Sequence, residues 1–145
     1  MNRHKAREIA LQMIFQMDVG KNSWEAAQYT LESASLETSL SSFASELAKG
    51  VSEHEAELDN NISAFIEDWD IGRIARIDKS ILRLALFEIK YLENIPVIVT
   101  INEAVELAKE YGGPDSWRFV NGVLDNYRKK NKIKADKSET VKTPE

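Results

Sequence analysis

From residue 77 to residue 92 the chain reads IDKSILRLALFEIKYL, and no single apolar stripe describes it. Ile77, Ile81, Leu82, Leu84, Ala85, Ile89 and Leu92 point in every direction around a helix, interrupted mainly by Asp78, Lys79, Arg83, Glu88 and Lys90. A helix that is apolar all round is stable in water only with neighbours on several sides, so this segment has to be central. Asn94-Ile95-Pro96 ends it, because proline disfavours helical geometry in the residue before it. Whatever else the chain forms must supply the cover.

The remaining periodicity is helical as well. Ala6, Ile9, Ala10, Met13, Ile14 and Met17 follow three- and four-residue steps, Leu11 and Phe15 widen the stripe, and Gly20 ends it. Asn22 and Glu25 are placed to open a second helix running to about Ser33, followed by a polar, serine-rich connector to about Ser42. Phe43, Leu47, Val51, Leu58, Ile62, Phe65, Ile66 and Trp69 continue the pattern with one gap, which His54 fills. Val97-Ile98-Val99 has no partner strand elsewhere and is read as a connector, with Thr100-Ile101-Asn102-Glu103 as a capping box opening the next helix. Ala104, Leu107, Ala108 and Tyr111 carry that helix to Gly112-Gly113. Asp115 or Ser116 then caps a last helix with Phe119, Val120, Val123, Leu124 and Tyr127 on one face. The expected fold is all-α, with six or seven helices in adjacent bundles over residues 1–130 and a disordered basic and polar tail over residues 131–145.

At 145 residues the chain suits one domain, and its 0 cysteines remove disulfide frameworks, thiol nucleophiles and thiolate zinc sites. No apolar run approaches the ~18 residues that would suggest a membrane span, so a cytosolic location without membrane contact is expected. No glycine-rich phosphate loop, metal-ligand spacing or nucleophile motif is present, so neither enzymatic activity nor a cofactor or metal is expected. His54 has no second histidine or clustered carboxylate nearby in the pattern and is read as a helix-edge residue rather than a ligand.

Charge is distributed unevenly. Residues 1–7 carry +3 and residues 128–145 carry +4, which leaves -12 on the body of a chain whose net charge is -5. Such a molecule attracts a polyanion locally and repels it elsewhere, which suits a short contact and not wrapping. Two segments stand out for that contact. Arg3-His4-Lys5-Ala6-Arg7 leads into the first helix, with Arg3 and Arg7 four apart and thus on one side. Asp115-Ser116-Trp117-Arg118-Phe119 opens the last, where free amides, a cation and aromatic faces suit phosphate and an unpaired base. Spacing alone slightly favours basic termini that only aid solubility, a Phe119 that belongs to the apolar face and a Trp117 that is a surface aromatic.

Four blocks, KAREIALQMIF, RIDKSILRLALFEI, IPVIVTINEAVELAKEYG and FVNGVLD, together resemble the NusB family of bacterial transcription antitermination factors, in the family's order from about residue 3 to residue 128. The resemblance implies two packed three-helix bundles and a non-enzymatic protein. It implies binding of the single-stranded boxA element of ribosomal RNA leader transcripts as a heterodimer with NusE, the pair helping to load an antitermination complex on RNA polymerase. Carried over by position, the RNA-binding residues are Arg3, His4, Lys5, Arg7, Gln12, Asp115, Arg118 and Phe119, and the NusE-facing residues are Phe15 and Asp78. Gly72 stands where some relatives carry an acidic residue. Both monomers and homodimers occur in the family when the protein is free. A protein-interaction adaptor whose basic arm does not bind RNA specifically is the alternative.

Overall fold

The computed structural model describes residues 3–20, 24–66 and 71–133. Among these there are seven α-helices, one short 3-10 turn and no strand. The chain divides into two compact units, residues 1–55 and 56–145.

In the first unit α1 (Arg3–Gly20) packs against both α2 (Trp24–Ser33) and α3 (Thr38–Glu53), and α2 also touches α3. The α1 stripe is buried as its spacing requires: Ala6, Ile9, Ala10, Leu11, Met13 and Ile14 are all under 5% exposed. Burying each large aliphatic side chain contributes about 1.5–3 kcal/mol, which fixes the phase of the helix. Thr30 donates a hydrogen bond to Gln16 at 2.8 Å, tying α2 to α1. The helix expected from about Phe43 onward begins earlier, at Thr38, so the serine-rich connector shrinks to residues 34–37. It ends at His54, whose backbone N–H reaches the carbonyls of Gly50 and Val51 and whose Nδ1 donates to Gly50 at 2.8 Å. The gap in the apolar stripe is therefore a helix end, with the imidazole giving the Gly50 carbonyl a second hydrogen bond beside the backbone one.

The second unit holds α4 (Glu55–Ser63), the 3-10 turn Ile71–Arg73, α5 (Arg76–Tyr91), α6 (Val97–Tyr111) and α7 (Ser116–Lys130). Helices α5, α6 and α7 pack on one another pairwise, making a three-helix bundle. Every residue of α5 from 80 to 89 is buried, as an all-round apolar helix demands. Its two charges within that run are satisfied internally. Arg83 donates to both carboxylate oxygens of Asp59 on α4, each at 2.8 Å, and Glu88 accepts from the hydroxyl of Thr100 at 3.1 Å. Lys90 and Tyr91 complete the seam to α4, Lys90 through Asn61 and Glu57 and Tyr91 through Glu57.

The capping box expected at Thr100 is absent. Helix α6 starts one turn earlier, after Pro96, whose φ of -59° already suits a helix. Thr100 is 1% exposed and spends its hydroxyl on Glu88, because leaving that buried carboxylate oxygen unbonded would be the costlier choice. At the other end of the unit, α7 closes in a Schellman turn: Lys132 takes a left-handed φ of 57° and the Ile133 amide returns to the Arg128 carbonyl at 2.9 Å. The tail expected to be disordered from residue 131 is thus ordered to residue 133, and residues 134–145 lie outside the described residues.

Candidate nucleic-acid interface

In the first unit the basic arm is helical from Arg3, so the four-residue spacing of Arg3 and Arg7 does place them on one side. Both guanidiniums lie over the ring of Phe43 on α3, at 4.4 Å for Arg3 and 5.4 Å for Arg7. Arg3 remains half-buried, but Arg7 is only 3% exposed. In this conformation Arg7 anchors α1 to α3 by cation–π attraction and presents almost no surface to a ligand. Its helical phase carried that information, since Arg7 leads Leu11 and Ile14 at steps of four and three. Lys5 has a side chain 54% exposed and His4 one 29% exposed; Glu8 lies 3.7 Å from each. At 3.7 Å and with the lysine reaching water, the Lys5 pair is weak enough to exchange for a phosphate. Gln12 is exposed one turn further along, and Phe15 is half-buried.

In the second unit the start of α7 is set by the turn before it. The Ser116 hydroxyl accepts from the Gly113 amide at 2.9 Å, and the Asp115 side chain makes no cap bond. A Cβ on Gly112 would fall 2.5 Å from the Ser116 Oγ and 2.8 Å from the Ala108 carbonyl oxygen. Because one of those neighbours is backbone, Gly112→Ala is expected to lower stability by about 1–3 kcal/mol and shift the first turn of α7, which thermal denaturation and amide chemical shifts of residues 115–119 would register.

That turn presents Asp115 and Arg118 outward, with side chains 84% and 70% exposed and 3.3 Å apart. Trp117 is half-buried between Lys109 at 5.5 Å and Arg118 at 5.2 Å, both over its ring. Phe119 is half-buried and faces two depressions in the surface of this unit. One, of about 430 Å³, is walled by Arg73, Ile74, Asp78, Pro114 and Ser116. Asp78 is 8% exposed, and its Oδ1 has no hydrogen-bond partner among the described residues. A buried acceptor of this kind calls for a donor that the described residues do not supply. The other depression, about 800 Å³, runs along α7 and includes Arg118, Lys129 and Lys130. Lys129 and Lys130 are not among the expected RNA-binding residues, although 118, 122, 126 and 129–130 repeat at helical steps.

Comparison with known proteins fits these features. The NusB family model matches residues 4–129. The transcription antitermination protein NusB of Bacillus subtilis (strain 168) is 46% identical over 128 residues, covering 88% of this chain and 95% of that protein. The corresponding protein of Oceanobacillus iheyensis is 44% identical over 124 residues, covering 86% and 96%. Among solved structures, T. maritima NusB superposes with a TM-score of 0.82 at 30% identity, covering 95% of this chain and 96% of its own. A crystal structure of the antitermination factors NusB and NusE in complex with dsRNA gives 0.79 at 25% identity, covering 90% and 99%. With nearly the whole described length matched in sequence and in backbone, the chain belongs to the NusB family.

Proposed function

We propose that this chain is a non-enzymatic transcription antitermination factor of the bacterial cytoplasm. It binds single-stranded boxA-type RNA from ribosomal leader transcripts as a heterodimer with NusE, and the pair helps to load the antitermination complex on RNA polymerase. The observation that carries the RNA reading is the start of α7, where an exposed Arg118 adjoins a Phe119 ring that faces open surface. A cation beside an accessible ring suits a phosphate and its base together. Arg3 and Lys5, with His4 when protonated, supply the first unit's phosphate contacts and Gln12 a polar one, while Arg7 holds α1 in place. Asp115 accepts a base or amide donor.

The partner reading rests on Asp78 and Phe15. The Asp78 carboxylate, which lines the smaller depression, would accept a donor from NusE, and Phe15, in the first unit, would be a separate contact. NusE, carrying basic charge, would also offset the acidic body that repels RNA. That same acceptor favours the second reading, in which partner docking is the whole function and the basic arm is incidental.

A titration of boxA-type and scrambled oligomers, with and without NusE, at several salt concentrations separates them. With Arg3, Lys5 and Arg118 engaged, the log–log salt slope should be about -2, at about -0.7 per contact. Affinity for boxA should rise when NusE is added. A flat salt response, or NusE binding with no RNA crosslink to residues 3–7 or 115–119, would leave only the adaptor reading.

A further inference from the structure

The geometry points to the larger α7 groove as a second RNA subsite, one that takes unpaired nucleotides flanking the boxA-type core. This rests on the RNA reading above and extends it along the helix.

The groove runs on one face of α7 from Arg118 and Phe119 past Gly122 and Asn126 to Lys129 and Lys130, about 18 Å at 1.5 Å per residue. Phe65, Ile66 and Val123 give it apolar surface, and among the described residues no acidic side chain lines it. Cations at both ends of a groove with rings in its wall match an alternation of phosphates and bases. Helix α7 carries Arg118, Arg128, Lys129 and Lys130 against the single acid Asp125. Asp125 is engaged with Arg128 and Lys129, at 2.9 and 3.0 Å, and those hydrogen bonds, Arg128's first, hold its carboxyl below the usual range. Lys130 is exposed and has no ion pair among the described residues. The groove is continuous with the proposed core site, since Arg118 and Phe119 belong to both. An RNA strand leaving Phe119 toward the C-terminal end of α7 therefore crosses apolar and amide surface and meets cations again at Lys129 and Lys130.

Gly122 makes the test clean. A Cβ there meets nothing within 4 Å, so Gly122→Leu projects into the groove while raising helix propensity, and its melting temperature is measured alongside. The full chain, with NusE, is titrated with three RNAs: the boxA-type core, the core with an unpaired 5′ tail, and the core with an unpaired 3′ tail. One tailed RNA is expected to bind at least about fivefold more tightly than the core, the low end of one stacked base. Its salt slope should be steeper by about 0.7 for each added phosphate contact. Gly122→Leu and Lys130→Glu should each abolish that gain, and Lys130→Glu, 12 residues from Arg118, should leave core binding within about twofold.

If the core binds but neither tail adds affinity, or the gain survives both substitutions, the subsite does not exist and the core reading stands. If the core itself does not bind, both readings fall. A glutamate-rich peptide that binds with the same dependence on Gly122 and Lys130, where tailed RNA gains nothing, would assign the groove to a protein instead.

Discussion

Replacing Asp59 by alanine is expected to destabilise the protein by about 3–5 kcal/mol, more than any other surface-reaching substitution in the second unit. The reason is the asymmetry of the pair. The Arg83 side chain is 4% exposed whereas that of Asp59 is 30% exposed, so removing the acid takes from a buried guanidinium the carboxylate that accepts two of its hydrogen bonds. Removing the base leaves a carboxylate that water can reach. Arg83→Met should therefore cost clearly less, because methionine fills the apolar surroundings and Asp59 rehydrates. The double variant should resemble Arg83→Met alone. For a chain of this size, 3–5 kcal/mol corresponds to a fall in melting temperature of about 10–20 °C. Thermal denaturation of the two single variants and the double variant tests the order. Equal losses for the two single variants would show that burial of the cation is not what sets the cost.

The same pair shows where a sequence stops being informative. Helix α5 is legible because ten consecutive buried residues leave no polar face, and that pattern is local. Arg83 looks like a flaw in it, since the carboxylate that neutralises it lies 24 positions away on another helix. Thr100 is a comparable case: its local spacing to Glu103 spells a capping box, yet burial commits its hydroxyl to Glu88, 12 positions back. Local grammar lost in both places to a buried charge that had to be satisfied. For the candidate site the division is similar. The aromatic and cationic residues opening α7 are visible as a motif, and in the structure Phe119 shares one depression with Arg118 and another with Asp78. That Arg7 turns inward onto Phe43 depends on a helix 36 residues away, although its step to Leu11 hinted at the direction.

Phe119→Ala is expected to weaken boxA-type RNA binding by about 1–3 kcal/mol, or roughly 5- to 150-fold, the value of one base stacked on an aromatic ring. Stability should change far less than the about 3–5 kcal/mol typical of a phenylalanine removed from a closed core, because this ring is half-buried and open to two depressions. A second substitution separates packing from stacking. Phe119→Leu keeps apolar volume against Val123 and Ile66 but has no π-face, so it should melt like the parent and still lose most of the RNA affinity. Neither variant should alter the salt slope, since no charge has changed, whereas Arg118→Ala should flatten it by about 0.7. Melting and RNA titration on the same samples decide the matter. Full RNA affinity in Phe119→Leu, together with a large loss of stability in Phe119→Ala, would make residue 119 a packing residue. The cations around it would then be binding phosphate without any base held at the helix start.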